Sequence, residues 1–194
     1  MRHAAKIQGS LICMLALTIF SGRSNRIFAQ CGPDPPVVAL SASTQSVSEG
    51  AGSVTVTIQI SAAPSQTASV SWYTTNVSAI SGQDYTGGSG TIQFTSQSDR
   101  YKTISITSDG TDEVDETFKF TIHNPQNCSL GSPSEQTIRI LDDDEPPTVQ
   151  FNSTGSSGGE NVSPVELTVT LSAESGKTIT LPFSIHLNST ADEG

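Results

Sequence analysis

The sequence predicts an all-β chain whose main domain is a seven-stranded antiparallel β-sandwich. From Val37 onward, apolar residues alternate with Ser, Thr and Gln in short runs, which is the pattern of strands buried on one face. Turn-forming residues separate these runs at short intervals. Aromatic residues make up only 6% of the 194 residues, and no long amphipathic helical pattern is found, so long helices are not expected.

Seven runs meet this description and are labelled A to G in chain order. They are Val37–Ala42, Val54–Ile60, Ala68–Tyr73, Gly90–Phe94, Lys102–Ile106, Thr117–Ile122 and Gln136–Leu141. Seven short strands over roughly a hundred residues are the pattern of an immunoglobulin-like sandwich. We expect Trp72 on strand C to pack between the two sheets.

The N-terminus has the features of an export signal. After a positively charged start, Leu11 to Phe20 form an apolar segment of roughly ten residues, too short to span a bilayer. We expect cleavage after Ala29, which removes residues 1–29 and leaves residues 30–36 as a lead-in to strand A. The alternative is that the apolar segment is a buried element of the fold. Export predicts a secreted or cell-surface protein, free or as part of a larger membrane-anchored one.

Two cysteines, Cys31 and Cys128, remain after signal removal, and an oxidising compartment would allow them to pair. Cys31 lies just before strand A, and Cys128 lies between strands F and G. Alternation of strand direction puts both at the same end of the sandwich. We expect a disulfide between them, with two free thiols as the alternative.

Four Asn-x-Ser/Thr sequences are possible glycosylation sites. They are Asn76, Asn127, Asn152 and Asn188. Because Ser and Thr abound, several such sequences arise by chance, so they imply glycosylation only in a eukaryotic host.

The chain contains a tandem repeat. Glu160 aligns with Glu49 at an offset of 111 residues, without gaps, and Pro146-Pro147 falls on Pro35-Pro36. The predicted organisation is a first domain at 37–144, a linker at 145–147 and a second copy at 148–194 that has counterparts of strands A to C only. We therefore expect the chain to be a fragment of a longer repeat protein. Because half a sandwich exposes an apolar face and an open edge, low-order structure after about Val149 is the alternative.

The net charge of −10 disfavours two classes of partner. Nucleic acids and anionic membranes attract basic surfaces, so neither is expected as the main partner. Cations are the natural partners of this chain.

The acidic residues gather at one end of the predicted sandwich. With strands that alternate in direction, the A–B, C–D and E–F loops and the segment after strand G meet there. Together they carry Glu49, Asp84, Asp109, Asp112, Glu113, Asp115, Asp142, Asp143 and Asp144. The opposite end carries little acid beyond Asp99 and Glu135.

Carboxylates this close repel one another unless a cation lies between them or their pKa values rise. Calcium takes about six to eight oxygen ligands and tolerates irregular geometry, which suits acids drawn from several loops. Magnesium demands a tighter octahedron, and zinc and iron are disfavoured because no His or Cys clusters near the acids. A solvated acidic surface that keeps the chain soluble is the alternative.

Five motifs, in this order and spacing, resemble the Calx-beta domain family. They are Val47–Gly50, Gly82–Tyr85, Gly90–Phe94, Asp109–Phe118 and Ile140–Asp144. The resemblance covers roughly Val37 to Asp144, with a partial copy from Thr148 to Gly194. Calx-beta domains occur in sodium–calcium exchangers, adhesion receptors, matrix proteins and bacterial surface proteins, and their common theme is calcium and adhesion.

The resemblance implies seven calcium ligands. They are Glu49, Asp84, Asp109, Glu113, Asp142, Asp143 and Asp144. Ser108 stands where the exchanger pattern has another acid, which implies fewer ions or weaker binding. Asp112, Asp115 and Glu116 are less secure as ligands, since acids beside the site can orient the loop or face solvent.

No catalytic constellation is found, so an enzyme is not expected. The histidines His3, His123 and His186 have no nucleophile motif around them, and a carboxylate glycosidase site would need more aromatic surface than one Trp and three Tyr provide.

The expected function is that of an extracellular calcium-binding adhesion or spacer module. Its partners would be neighbouring Calx-beta repeats and an adhesion protein of unknown identity, and calcium would stiffen the junction between repeats. One alternative is a calcium sensor that regulates a membrane protein in cell communication. The other is a passive structural repeat without an ion.

Overall fold

The computed structural model describes residues 34–155, 157, 159, 161 and 166–184. The chain divides into two units, residues 1–35 and 36–194, and all strands given below belong to the second unit. The predicted export signal, Cys31, Glu160 and Asn188 lie outside the described residues. Within the described part of the chain, no helix is both long and apolar enough to cross a membrane.

The first domain is a sandwich of two sheets, as predicted. Its strands are β1 (Val37–Leu40), β2 (Thr44–Ser48), β3 (Ser53–Ile60), β4 (Ala68–Asn76), β5 (Ser89–Phe94), β6 (Arg100–Ser105), β7 (Glu116–Gln126), β8 (Ser129–Leu130) and β9 (Glu135–Leu141). One sheet has the order β6-β3-β1-β8 and the other the order β2-β9-β7-β4-β5.

The core lies between the sheets and follows from the alternation along the strands. On β3, Val56 and Ile58 are fully buried, while the intervening Ser and Thr side chains face outward. From the other sheet, Phe118 and Phe120 on β7 are also fully buried. Burial of each such side chain contributes about 1.5–3 kcal/mol. Trp72 stacks on Phe120 with 5.2 Å between ring centroids and is 7% exposed, which confirms its predicted place in the core.

The predicted strand A, Val37–Ala42, is wrong in its extent because the chain changes sheets at this point. β1 ends at Leu40 and pairs with β3. After a bend at residues 41–43, β2 pairs in parallel with β9 in the opposite sheet. The polar sequence of β2 gave no strand prediction. Its pairing matters for function, because it places Ser48 beside Leu141 and so brings the residues after β2 next to the residues after β9.

Among its described residues, the second copy has two strands, β10 (Val149–Phe151) and β11 (Val169–Leu171). Val149 pairs with Leu171, which is the pairing of Val38 with Ile60 shifted by 111 residues. This register confirms the offset of the repeat. The expected third strand is not formed, since residues 179–184 have no strand. In the first copy, the corresponding strand β4 is held between β5 and β7.

Candidate metal centre

Five of the seven predicted ligands line one cleft at the end of the sandwich. They are Glu49, Asp84, Asp109, Glu113 and Asp142, and Glu116 joins them. The enclosed space is about 20 Å³, which is room for roughly one water-sized body. The structure therefore brings together acids that are separated by up to about a hundred residues in sequence, as the alternation of strand direction predicts.

Three carboxylates form the tightest cluster. Oxygens of Glu49, Asp109 and Asp144 all lie within 4.8 Å of one another. Glu49 opens the short 3-10 turn that follows β2, and its Oε1 accepts a hydrogen bond of 2.7 Å from the backbone N–H of Asp109. Because β2 and β9 run in parallel, Glu49 and Asp144 follow strand ends that are side by side.

Two carboxylate oxygens at this end are buried without a hydrogen-bond partner among the described residues: Asp142 Oδ1 and Asp144 Oδ2. The side chain of Asp142 is only 9% exposed. A buried carboxylate oxygen left without a partner is costly, and coordination of a cation would remove that cost. All-oxygen donors from several loops match a hard cation such as calcium, so the residues present fit this ion.

The pKa values of the acids record their crowding. Burial, and then the charges of neighbouring carboxylates, raise the pKa of Glu113 and of Asp144. Burial also raises the pKa of Glu49, although the hydrogen bond from Asp109 acts in the opposite direction. Without a cation, the carboxyl groups of Glu49, Glu113 and Asp144 therefore resist ionisation.

Glu116 was a less secure member of the predicted site, and the structure gives it a clear place. It lines the cleft at the start of β7. Burial, a hydrogen bond with Asp84 and the charge of Asp84 raise the pKa of Glu116 to about 7. Its sequence position, two residues beyond the loop acids, carries no motif that separates it from a solvated glutamate.

Backbone groups fix the orientation of two further acids. Asp84 Oδ2 accepts a hydrogen bond of 2.6 Å from the N–H of Ile80, and Asp109 Oδ1 accepts one of 2.7 Å from the N–H of Thr111. Each of these bonds uses one carboxylate oxygen and closes a short turn. The backbone of the same loops therefore orients these two carboxylates.

Asp143 is the one predicted ligand that lies neither in the cleft lining nor in the cluster of three carboxylates. Its Oδ2 accepts hydrogen bonds from the hydroxyl of Ser48 and from the N–H of Gly50, the latter at 3.3 Å. A Cβ atom at Gly50 would lie 2.8 Å from that oxygen, so any larger residue there would force the Asp143 carboxylate to shift. Asp143 thus ties the residues after β9 to those after β2.

Two acids of the β6–β7 loop make ion pairs. Asp115 pairs with Arg139 at 2.6 Å and accepts a hydrogen bond of 3.1 Å from the N–H of Asp142. Asp112 is buried, with 4% exposure, and pairs with Lys177 of the second copy. Sequence reasoning did not anticipate the Lys177 contact, because it joins residues of different copies.

The remaining predicted sites are the two cysteines and the possible glycosylation sites. Cys128 is half-buried, its thiol donates to the carbonyl of Ser69 at 3.5 Å, and burial raises its pKa. Since Cys31 is not described, the disulfide stays a prediction. Of the possible glycosylation sites, Asn76 accepts a hydrogen bond of 2.6 Å from the hydroxyl of Tyr85, Asn127 donates to a backbone carbonyl at 2.9 Å, and Asn152 is exposed.

A sequence profile of the Calx-beta domain matches residues 33–144 and again residues 142–194. The chain belongs to the Calx-beta family. The two matches agree with the predicted tandem organisation of this Calx-beta chain. A sequence search among curated proteins found no significant match.

Solved structures of similar fold include Calx domains. The crystal structure of the apo-form Calx CBD1 domain is 28% identical with a TM-score of 0.54, and the match covers 57% of this chain and 100% of that one. The structure of CBD12 from CALX1.2 is 27% identical with a TM-score of 0.54, covering 69% of this chain and 56% of that one. The structure of the calcium binding domain CBD12 of CALX1.1 is 28% identical with a TM-score of 0.54, and the match covers 60% of this chain and 48% of that one. The match thus spans about half of each two-domain structure.

Proposed function

We propose that the first Calx-beta domain binds calcium at its acidic end and works as a binding and spacer module of an extracellular repeat protein. The observation that carries this proposal is the convergence of Glu49, Asp109 and Asp144, whose oxygens lie within 4.8 Å of one another. Similarity to a structure described as a calcium binding domain supports the choice of ion.

The residues of the cleft would share the work of holding the ion. Glu49, Asp109 and Asp144 supply one face of the site, and the partner-free Oδ1 of Asp142 supplies a further oxygen. Asp84 and Glu113 line the remaining wall. Bound calcium would neutralise carboxylates that otherwise repel one another, which stabilises the loops that carry them.

A role at the junction between repeats follows from the position of the site in the chain. Asp142 to Asp144 lie between the end of β9 and the linker 145–147, and β10 begins at Val149. Calcium bound there would order the start of the linker, because metal binding couples to local order. The predicted export signal supports an extracellular setting, in which the array would present its repeats to an adhesion partner.

Calorimetric titration of calcium into residues 30–194 tests the proposal. We expect saturable binding that is lost in the double variant Glu49→Gln/Asp144→Asn and retained in Asp99→Asn, a matched change at the acid-poor end. A dissociation constant of about 0.1–1 mM would indicate an extracellular module, whereas micromolar or tighter binding would indicate a sensor. Absence of binding heat together with absence of thermal stabilisation by calcium would contradict the proposal and leave a passive repeat.

A further inference from the structure

A loop of the second copy lies on the acidic end of the first. The loop comprises residues 172–178, which directly follow β11. Ser175 Oγ donates to Asp112 Oδ2 at 3.1 Å, and the N–H of Gly176 donates to the carbonyl of Asp112 at 3.0 Å. The two chain segments form an isolated parallel bridge at Asp112 and Ser175. The contact thus includes backbone pairing and is more than a meeting of long side chains.

Lys177 brings a positive charge into this contact. Its ammonium donates to Asp142 Oδ2 at 3.0 Å and also to Asp112 Oδ1. Asp142 is at the same time a wall of the proposed calcium cleft, and its other oxygen has no partner among the described residues. The lysine therefore bonds one oxygen of a carboxylate whose second oxygen is available to an ion.

The geometry shows what the lysine contributes to both carboxylates. Its ammonium lies within hydrogen-bond distance of Asp112 and Asp142 at once. The side chain of Asp112 is 5% exposed, so Lys177 also compensates a carboxylate that is almost removed from water.

The sequence places this cation in the second copy alone. Lys177 is the only Lys or Arg of residues 148–194. At the repeat offset of 111 residues its counterpart in the first copy is Gln66, which has no charge. The two copies therefore differ in charge at this position, and the charged residue belongs to the copy that follows the acidic end.

We propose that Lys177 is a tethered cation that competes with calcium for Asp142, so that calcium binding to the first copy and docking of the second copy's loop oppose each other. The inference rests on the proposed function. A divalent ion in the cleft and an ammonium on the same carboxylate repel, and by linkage each weakens the binding of the other by the same factor. Calcium would then order the residues that follow β9. At the same time it would release loop 172–178 from Asp112 and Asp142.

Calorimetry on residues 30–194 tests the competition. Lys177→Gln should bind calcium tighter than the wild type by roughly fivefold or more, which is the lower range of measured coupling between sites. Lys177→Arg, which keeps the charge, and Lys119→Gln, which removes the charge of an exposed pair with Glu135, should keep wild-type affinity. Equal or weaker binding by Lys177→Gln, with unchanged thermal stability, would overturn the inference.

Amine labelling provides a second readout that does not depend on affinity. Residues 30–194 contain three lysines, Lys102, Lys119 and Lys177, so peptide mapping can follow each one. Calcium should speed the labelling of Lys177 relative to the chelator control, and should leave Lys119 unchanged. Calcium binding without faster labelling of Lys177 would contradict the proposed competition but would leave the proposed function intact. Absence of calcium binding in both the wild type and Lys177→Gln would defeat the proposed function itself.

Discussion

The two copies share one strand register but differ in how deeply the matched side chains are buried. In the first copy, Val38 and Ile58 are fully buried beneath the opposing sheet. Their counterparts at the offset of 111 are Val149, which is half-buried, and Val169, which is 44% exposed. Leu40 is 2% exposed, whereas its counterpart Phe151 is 63% exposed.

This difference separates two levels of folding. Pairing between neighbouring strands follows from the local alternation of apolar and polar residues, so it is present in both copies. Burial requires a second sheet, and only the first copy has one among the described residues. The acidic end depends on that second sheet as well, because its acids come from loops of both sheets.

The largest expected effect comes from removing matched core side chains. Ile58→Ala should destabilise the first copy by about 2–5 kcal/mol, because it opens a cavity in a packed core. Val169→Ala, at the matching position of the second copy, should cost less than about 0.5 kcal/mol because its side chain already meets water. Urea denaturation followed by far-UV circular dichroism, which reports the strands of both copies, measures both losses. Equal losses for the two variants would break the comparison.

A smaller effect distinguishes two neighbouring acids at the acidic end of the first copy. Asp142→Asn should weaken calcium binding by about tenfold or more, since it removes a carboxylate that lines the cleft. Asp143→Asn should weaken it by less than about threefold, because the contacts of Asp143 are with Ser48 and Gly50 and the amide oxygen can still accept. Parallel calcium titrations give both ratios, and equal losses would show that Asp143 is a ligand.

The smallest effect is a pH dependence of the calcium-free first copy. The folded-state pKa of Glu116 is raised from 4.5 to about 7, so the folded state holds a proton that the unfolded state has already released. Stability from this group is fully present below pH 4.5 and is lost as the pH rises through 7. Denaturation in chelator between pH 5 and 8 should show this loss in the wild type and a flatter profile in Glu116→Gln. The same slope in both proteins would contradict the assignment.

Much of the fold follows from the sequence because alternation and turn residues are local. The strands whose inward residues are Val, Ile or Phe, such as β3 and β7, were all anticipated. β2 was missed because its sequence, Thr-Gln-Ser-Val-Ser, has one apolar residue, and its partner β9 is about ninety residues away. β8 has only two residues, too few for any periodic pattern.

The sequence predicted that the acids would gather at one end. It did not predict which of them line the cleft and which hold the loops together. Counting strand directions placed Glu49, Asp109 and Asp144 together, and the structure brings them within 4.8 Å. The same count cannot distinguish Asp143 from its neighbours, because direction of approach depends on the turn after β2. The contacts of Lys177 could not be predicted for a further reason. Its partners belong to the other copy, and no local sequence pattern indicates a contact between copies.

A crystal structure of residues 30–194 grown with calcium tests the central claim most directly. The account predicts an anomalous difference peak bounded by Glu49, Asp109 and Asp144, with calcium–oxygen distances of about 2.3–2.6 Å. A calcium-saturated crystal without a peak at that position, or with its only peak elsewhere, would contradict the assignment of the acidic end as a calcium site.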